Sequence, residues 1–168
     1  MTTNSVTLHS LEYKDARTYW VAALFIVGNI ALPQLCHLLP AGGPMLLPIY
    51  FFTLVAAYKY GWKVGVLTAV ASPLVNALLF AMPAPAVLPA ILTKSLLLAA
   101  AAGFAARRFG RVSLWMLLAV VLFYQVVGSA AEWAYTGNLA AALQDFRIGI
   151  PGMLLQILGG YLFIKYLK

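Results

Sequence analysis

The stretch TYWVAALFIVGNIALPQLCHLL, Thr18 to Leu39, contains no Lys, Arg, Asp or Glu. About 20 apolar residues at a helical rise of 1.5 Å cross a hydrocarbon core, so this run is long enough to span a bilayer. Pro33 removes one backbone donor and predicts a kink, or an end to regular helix, in the second half of the run. Polar residues 1–17 precede it and carry Glu12, Lys14, Asp15 and Arg17. After it, apolar runs recur at Met45–Tyr58, Val64–Met82, Leu88–Ala106, Val112–Tyr135 and from Pro151 to near Lys165. The gaps between them hold chain breakers: Pro40-Ala41-Gly42-Gly43-Pro44, the Lys59, Gly61 and Lys63 turn, Met82-Pro83-Ala84-Pro85-Ala86, and a longer connection from Thr136 to Gly149. The second run is short for a straight span and has Pro48 near its start, so it reads as a short or partly re-entrant helix. Pro73 predicts a bend in the third run.

Composition agrees. Of 168 residues 64% are apolar and 9% charged, which leaves too little polar surface for a water-soluble fold. Because the apolar runs recur along the whole chain, a secretory signal followed by a soluble domain does not describe it. The net charge of +7 does not imply nucleic acid, since the basic residues sit in the gaps between apolar runs, where they orient a membrane protein. Of the 11 Lys and Arg, Lys14, Arg17, Lys59, Lys63, Arg107, Arg108, Arg111, Lys165 and Lys168 fall in alternate gaps and at the two ends. The first and third connections have none, the fifth has only Arg147, and Lys94 lies inside a run. Cytoplasmic loops accumulate positive charge, so the expectation is an all-α polytopic membrane protein with six transmembrane helices and both ends cytoplasmic. Residues 1–17 form a cytoplasmic N-terminal segment, and 18–168 a single six-helix domain in the cell's inner (cytoplasmic) membrane.

An ionisable side chain inside a span is costly, by about 2.5–3.5 kcal/mol on insertion scales, and usually faces protein or an aqueous cavity. Lys94 and Glu132 therefore come first: they either pair with each other or snorkel, or they contact a ligand. Gln125, Ser129 and Glu132 are spaced i, i+4, i+7 and share one helical face. Asn76 lies one turn after Ser72, Gln156 stands alone in the last run, and Asn29, Gln34 and His37 mark the first. Taken singly such amides read as interhelical glue. Spread over several helices, they favour one polar cavity near the outer side. The candidate solute-binding set is Asn76, Lys94, Gln125, Glu132, Gln156, His37 and Gln34, with Arg147 near the mouth. Lys94 is expected to meet an anionic or carbonyl-rich solute. Cys36-His37 could ligate a metal or corrinoid cobalt, but an adjacent pair with no second cysteine reads instead as an interface histidine and a buried cysteine, so no metal or other cofactor is expected. No Walker P-loop, zinc-protease His pair or nucleophile elbow occurs, so this chain is not expected to hydrolyse ATP or to be an enzyme.

Read in order, Leu46-Leu47-Pro48-Ile49-Tyr50, Tyr60-Gly61-Trp62-Lys63-Val64-Gly65, Ala71-Ser72-Pro73-Leu74-Val75-Asn76, Ala81-Met82-Pro83 and Leu88-Pro89 resemble the substrate-binding S components of energy-coupling factor (ECF) vitamin transporters. The resemblance covers about residues 20–106 by motif and the whole chain by length and layout. It implies capture of a vitamin or related micronutrient at the outer side, under the loops Pro40–Pro44 and Met82–Val87. It also implies a T subunit and two ATPase subunits that drive uptake. Small residues of the first helix would face the T subunit. Here these are Ala22, Ala23, Gly28 and Ala31, which depart from the family's A-x-x-x-A spacing. A membrane assembly or structural protein without a small ligand, and an intramembrane enzyme using Lys94, Glu132 or His37, are the alternative readings.

Overall fold

The structure, a computed structural model, describes residues 6–167; residues 1–5 and Lys168, the last cation of the charge pattern, lie outside it. The described residues form helices and no strands. In order these are α1 (Ala16–Cys36), α2 (Gly42–Leu46), a 3-10 turn (Pro48–Tyr50) running into α3 (Phe51–Tyr60), α4 (Trp62–Phe80), α5 (Leu88–Phe109), α6 (Leu114–Thr136), α7 (Leu139–Ala142), α8 (Gln144–Ile148) and α9 (Ile150–Tyr166). Four of them, α1, α4, α5 and α6, are long and apolar enough to cross a membrane. The apolar α9 has 17 residues, about 25 Å at 1.5 Å per residue. With 10 residues, α3 is only about 15 Å long.

The expected second run is thus divided. Met45 and Leu46 belong to α2, and Leu47 breaks the chain with a left-handed backbone (φ 47°) before Pro48 starts a new helix. Pro33 sits three residues before the end of α1, and α4 continues through Pro73 to Phe80.

The bundle is built around α3. Nine of its ten residues are buried, as expected of a helix that is apolar all round. It packs against α1, α4, α5 and α9. Small residues permit the close crossings: a Cβ on Gly65 of α4 would lie 2.4 Å from the Ala57 Cβ, and one on Gly103 of α5 would lie 2.4 Å from the Trp62 Cβ.

At one end the helices are joined by tight turns and tied by backbone carbonyls. The last carbonyls of a helix lack intrahelical donors. Those of Lys59 and Tyr60 accept from the N–H groups of His9 (2.8 Å) and Leu11 (3.1 Å), so the N-terminal segment closes α3. The Tyr58 hydroxyl donates to the Arg111 carbonyl in the α5–α6 turn (2.7 Å). Of the expected basic turn Lys59, Gly61 and Lys63, Lys59 belongs to the last turn of α3, where it is buried and donates to the Ile164 carbonyl in the last turn of α9 (3.2 Å). Its ammonium supplies the donor that a helix C-terminus lacks. Lys63 pairs instead with Glu12.

The small residues of α1 do not form one outer face. Ala22 is in the core, and the Phe52 ring lies 2.9 Å from where a Gly28 Cβ would be. Only Ala23 and Ala31 are exposed. The expectation that all four are free for a partner is therefore corrected for Ala22 and Gly28, which are used by the chain's own packing.

Candidate functional site

The opposite end is built from α2, residues 81–87 and the one-turn helices α7 and α8, which cover the ends of α1, α4, α5 and α6. These short pieces are held by close backbone packing: a Cβ on Gly152 at the start of α9 would lie 2.4 Å from the Leu46 carbonyl. Beneath them is a cavity of about 320 Å³, within the range of small-molecule sites. Most of its wall is proline and aliphatic side chain, including Pro33, Pro48, Pro83, Ile91 and Val87. The polar part of the wall is His37, Tyr50, Asn76, Lys94, Glu132, Gln144 and Asp145.

Lys94 is buried on α5, and its stem crosses α6 at Gly128, where a Cβ would come within 2.5 Å of the Lys94 Cγ. A side chain there would have to displace the stem. The ammonium reaches two carboxylates, Glu132 Oε2 of α6 at 2.8 Å and Asp145 Oδ2 of α8 at 2.9 Å. Three charges taken from water are tolerated because each has an opposite charge within contact distance. The triad also fastens α8 to the body of the bundle.

Asn76 illustrates how a proline can position a polar group. Pro33 has no N–H, so the Asn29 carbonyl one turn earlier lacks its helical donor. The Asn76 amide fills that vacancy (2.9 Å) and also donates to the Ser72 carbonyl (3.1 Å). With both N–H groups committed to carbonyls, the orientation of the amide is determined. Its Oδ1 is buried and has no hydrogen-bond partner among the described residues. The Asn29 side chain donates to Thr53 (3.0 Å) and Ser72 (3.3 Å) and accepts the Phe52 N–H in the first turn of α3 (3.1 Å), binding α1, α3 and α4 together below the cavity.

Of the candidate residues, the structure brings Asn76, Lys94, Glu132 and His37 to one cavity. His37 is exposed, with Nδ1 2.6 Å from the Pro33 carbonyl. Gln125, Gln156, Gln34 and Arg147 do not line it. Gln125 and Gln156 are fully buried around Tyr124: its hydroxyl donates to Gln156 Oε1 (2.9 Å) and accepts from Gln125 Nε2 (3.2 Å). The shared face of Gln125, Ser129 and Glu132 does turn inward, but only its Glu132 end reaches the cavity. Arg147 is exposed on α8, and Gln34 is half-buried on α1. Asp145 and Gln144 were not among the candidates. The signal for Asp145 was arithmetic: only four acids exist, two of which precede the first span, so a buried lysine has few available partners. Cys36 is a buried free thiol, and no group of three or more His, Cys, Asp or Glu able to hold a metal occurs among the described residues.

Comparison of the chain with protein-family models, curated proteins and solved structures finds no match. Function is therefore argued from the cavity.

Proposed function

We propose that this protein is the solute-capture S subunit of an ECF-type importer, crossing the cytoplasmic membrane six times with both ends inside. It binds a vitamin or related micronutrient at the outer side and delivers it with a T subunit and two ATPase subunits. The observation that carries this reading is the coincidence of the cavity with the end that has few Lys and Arg in its connections. The segments over the cavity, 40–44 and 82–87, contain no Lys or Arg, whereas the turn at the other end holds Arg107, Arg108 and Arg111. By the distribution of positive charge, the cavity faces outward.

Six crossings require α3 and α9 to count as spans. At 17 residues α9 is at the lower limit, and small mismatches are absorbed by local thinning of the bilayer. The 3-10 turn before α3 adds about 6 Å at 2 Å per residue, and the buried position of α3 removes the need to match lipid thickness. Of the four small residues of α1, Ala23 and Ala31 remain exposed and, with Val27 between them, offer a surface to a T subunit.

The division of labour is tested by reconstitution. The purified chain in liposomes should bind a radiolabelled micronutrient without accumulating it, and accumulation should appear only with the T and ATPase subunits and ATP. Concentrative uptake by the chain alone, with no ion gradient, would contradict the proposal. Orientation is tested separately in a Cys36→Ser background. Ala84→Cys should react with an impermeant thiol reagent in intact cells and Arg108→Cys should not; the reverse pattern would invert the topology.

A further inference from the structure

We infer that the cavity selects a small organic cation carrying a hydrogen-bond donor, and disfavours anions. The inference rests on the solute-capture reading and adds the chemical class. Its first support is charge. One ammonium faces two carboxylates, so the triad of Lys94, Glu132 and Asp145 leaves one negative charge uncompensated at the wall. Arg147, two residues beyond Asp145, is exposed and outside the wall, and the remaining ionisable groups lining the cavity are His37 and Tyr50. An anion would have to displace a carboxylate to reach the ammonium, against the charge of the other.

The second support is independent of charge. Asn76 is 1% exposed and lines the cavity, and its Oδ1 is an acceptor with nothing to accept. Flipping the amide would place oxygen against two carbonyls, so the unmatched atom stays an acceptor. A buried acceptor is costly unless a donor meets it, and a solute bringing a donor to this part of the wall would remove that cost. The proline and aliphatic remainder of the wall suits an apolar body of modest size. A protonated or quaternary nitrogen near Glu132 and Asp145, with an N–H or O–H toward Asn76, answers all three parts of the wall. In such a low-dielectric setting a single uncompensated charge discriminates strongly between ligands of opposite sign.

The test is equilibrium binding to the full chain in nanodiscs, with small probes of three charges: thiamine, choline and pyridoxamine as cations, nicotinamide as a neutral, and nicotinate and pantothenate as anions. At least one cation should bind, with every anion at least tenfold weaker. Asp145→Asn should weaken the bound cation at least tenfold. The wild-type comparison needs no variant, so a folding defect in Asp145→Asn leaves the test intact. Preference for an anion, or equal binding across charges, would overturn the class while leaving solute capture standing. No binding by any probe would count against both.

Discussion

The two ends of this bundle both contain a buried lysine, and they use it in opposite ways. At the tight-turn end Lys59 donates to the Ile164 carbonyl, and its neighbours Tyr58 and Tyr60 are likewise engaged by main chain. At the other end Lys94 faces two carboxylates carried on separate elements, beside a void of about 320 Å³. A cation satisfied by its own backbone acts as a helix cap and contributes stability. A cation held by side chains beside a void leaves its charges at the wall of that void, where the proposed solute would meet them. On the proposed reading, the first end closes the molecule and the second admits the solute.

The sharpest way to break this contrast is to remove each ammonium while keeping its stem. Lys94→Met leaves the buried Glu132 and the partly buried Asp145 without their counter-charge, and breaking a buried set costs about 3–5 kcal/mol. The variant should melt well below the wild type in detergent and regain part of the difference when a cationic probe occupies the vacated position. An unchanged melting temperature would mean that the triad is not a buried ionic unit. Lys59→Met removes one charge-assisted bond to a carbonyl, worth about 1.5–3 kcal/mol. It should lower stability by that smaller amount and leave solute affinity unchanged, as measured by denaturant titration and equilibrium binding. A loss of binding there would dissolve the distinction between the two ends. The smallest expected change is Gly128→Ala. The added methyl meets the Lys94 stem, and overpacking of this kind costs about 1–3 kcal/mol. Because the stem can yield, the lower part of that range is expected, together with weaker solute binding from a displaced ammonium.

The long spans and their breakers were legible in the sequence because apolar length and proline–glycine clusters act locally. The partition of Met45–Tyr58 was not. Its break is at Leu47, a buried residue with a left-handed backbone that packs closely on Gly152 at the start of α9, a tertiary contact that no local sequence signal announces. Lys94, Glu132 and Asn76 stood out because polar groups in apolar runs need a reason to be there, and all three reach the cavity wall. Gln125 and Gln156 stood out for the same reason, yet both attach to Tyr124, whose hydroxyl is invisible in a reading that counts tyrosine as apolar. Asp145 was passed over because it lies in a connection, 51 residues from the lysine it holds. Ala22 and Gly28 read as a small-residue surface, but helix rotation decides which small residues face outward, and α1 turns those two toward the core and Phe52.

The claim that the open end is a solute site is tested most directly by filling it. Ala90 is buried, lines the cavity and takes no part in the triad, so Ala90→Phe occupies the space without altering its charges. The measurement is the binding isotherm of a probe that binds the wild-type chain, taken alongside the melting temperature of each protein. The account predicts that Ala90→Phe melts near the wild type and shows no saturable binding. Saturable binding of undiminished affinity in a folded Ala90→Phe chain would contradict it.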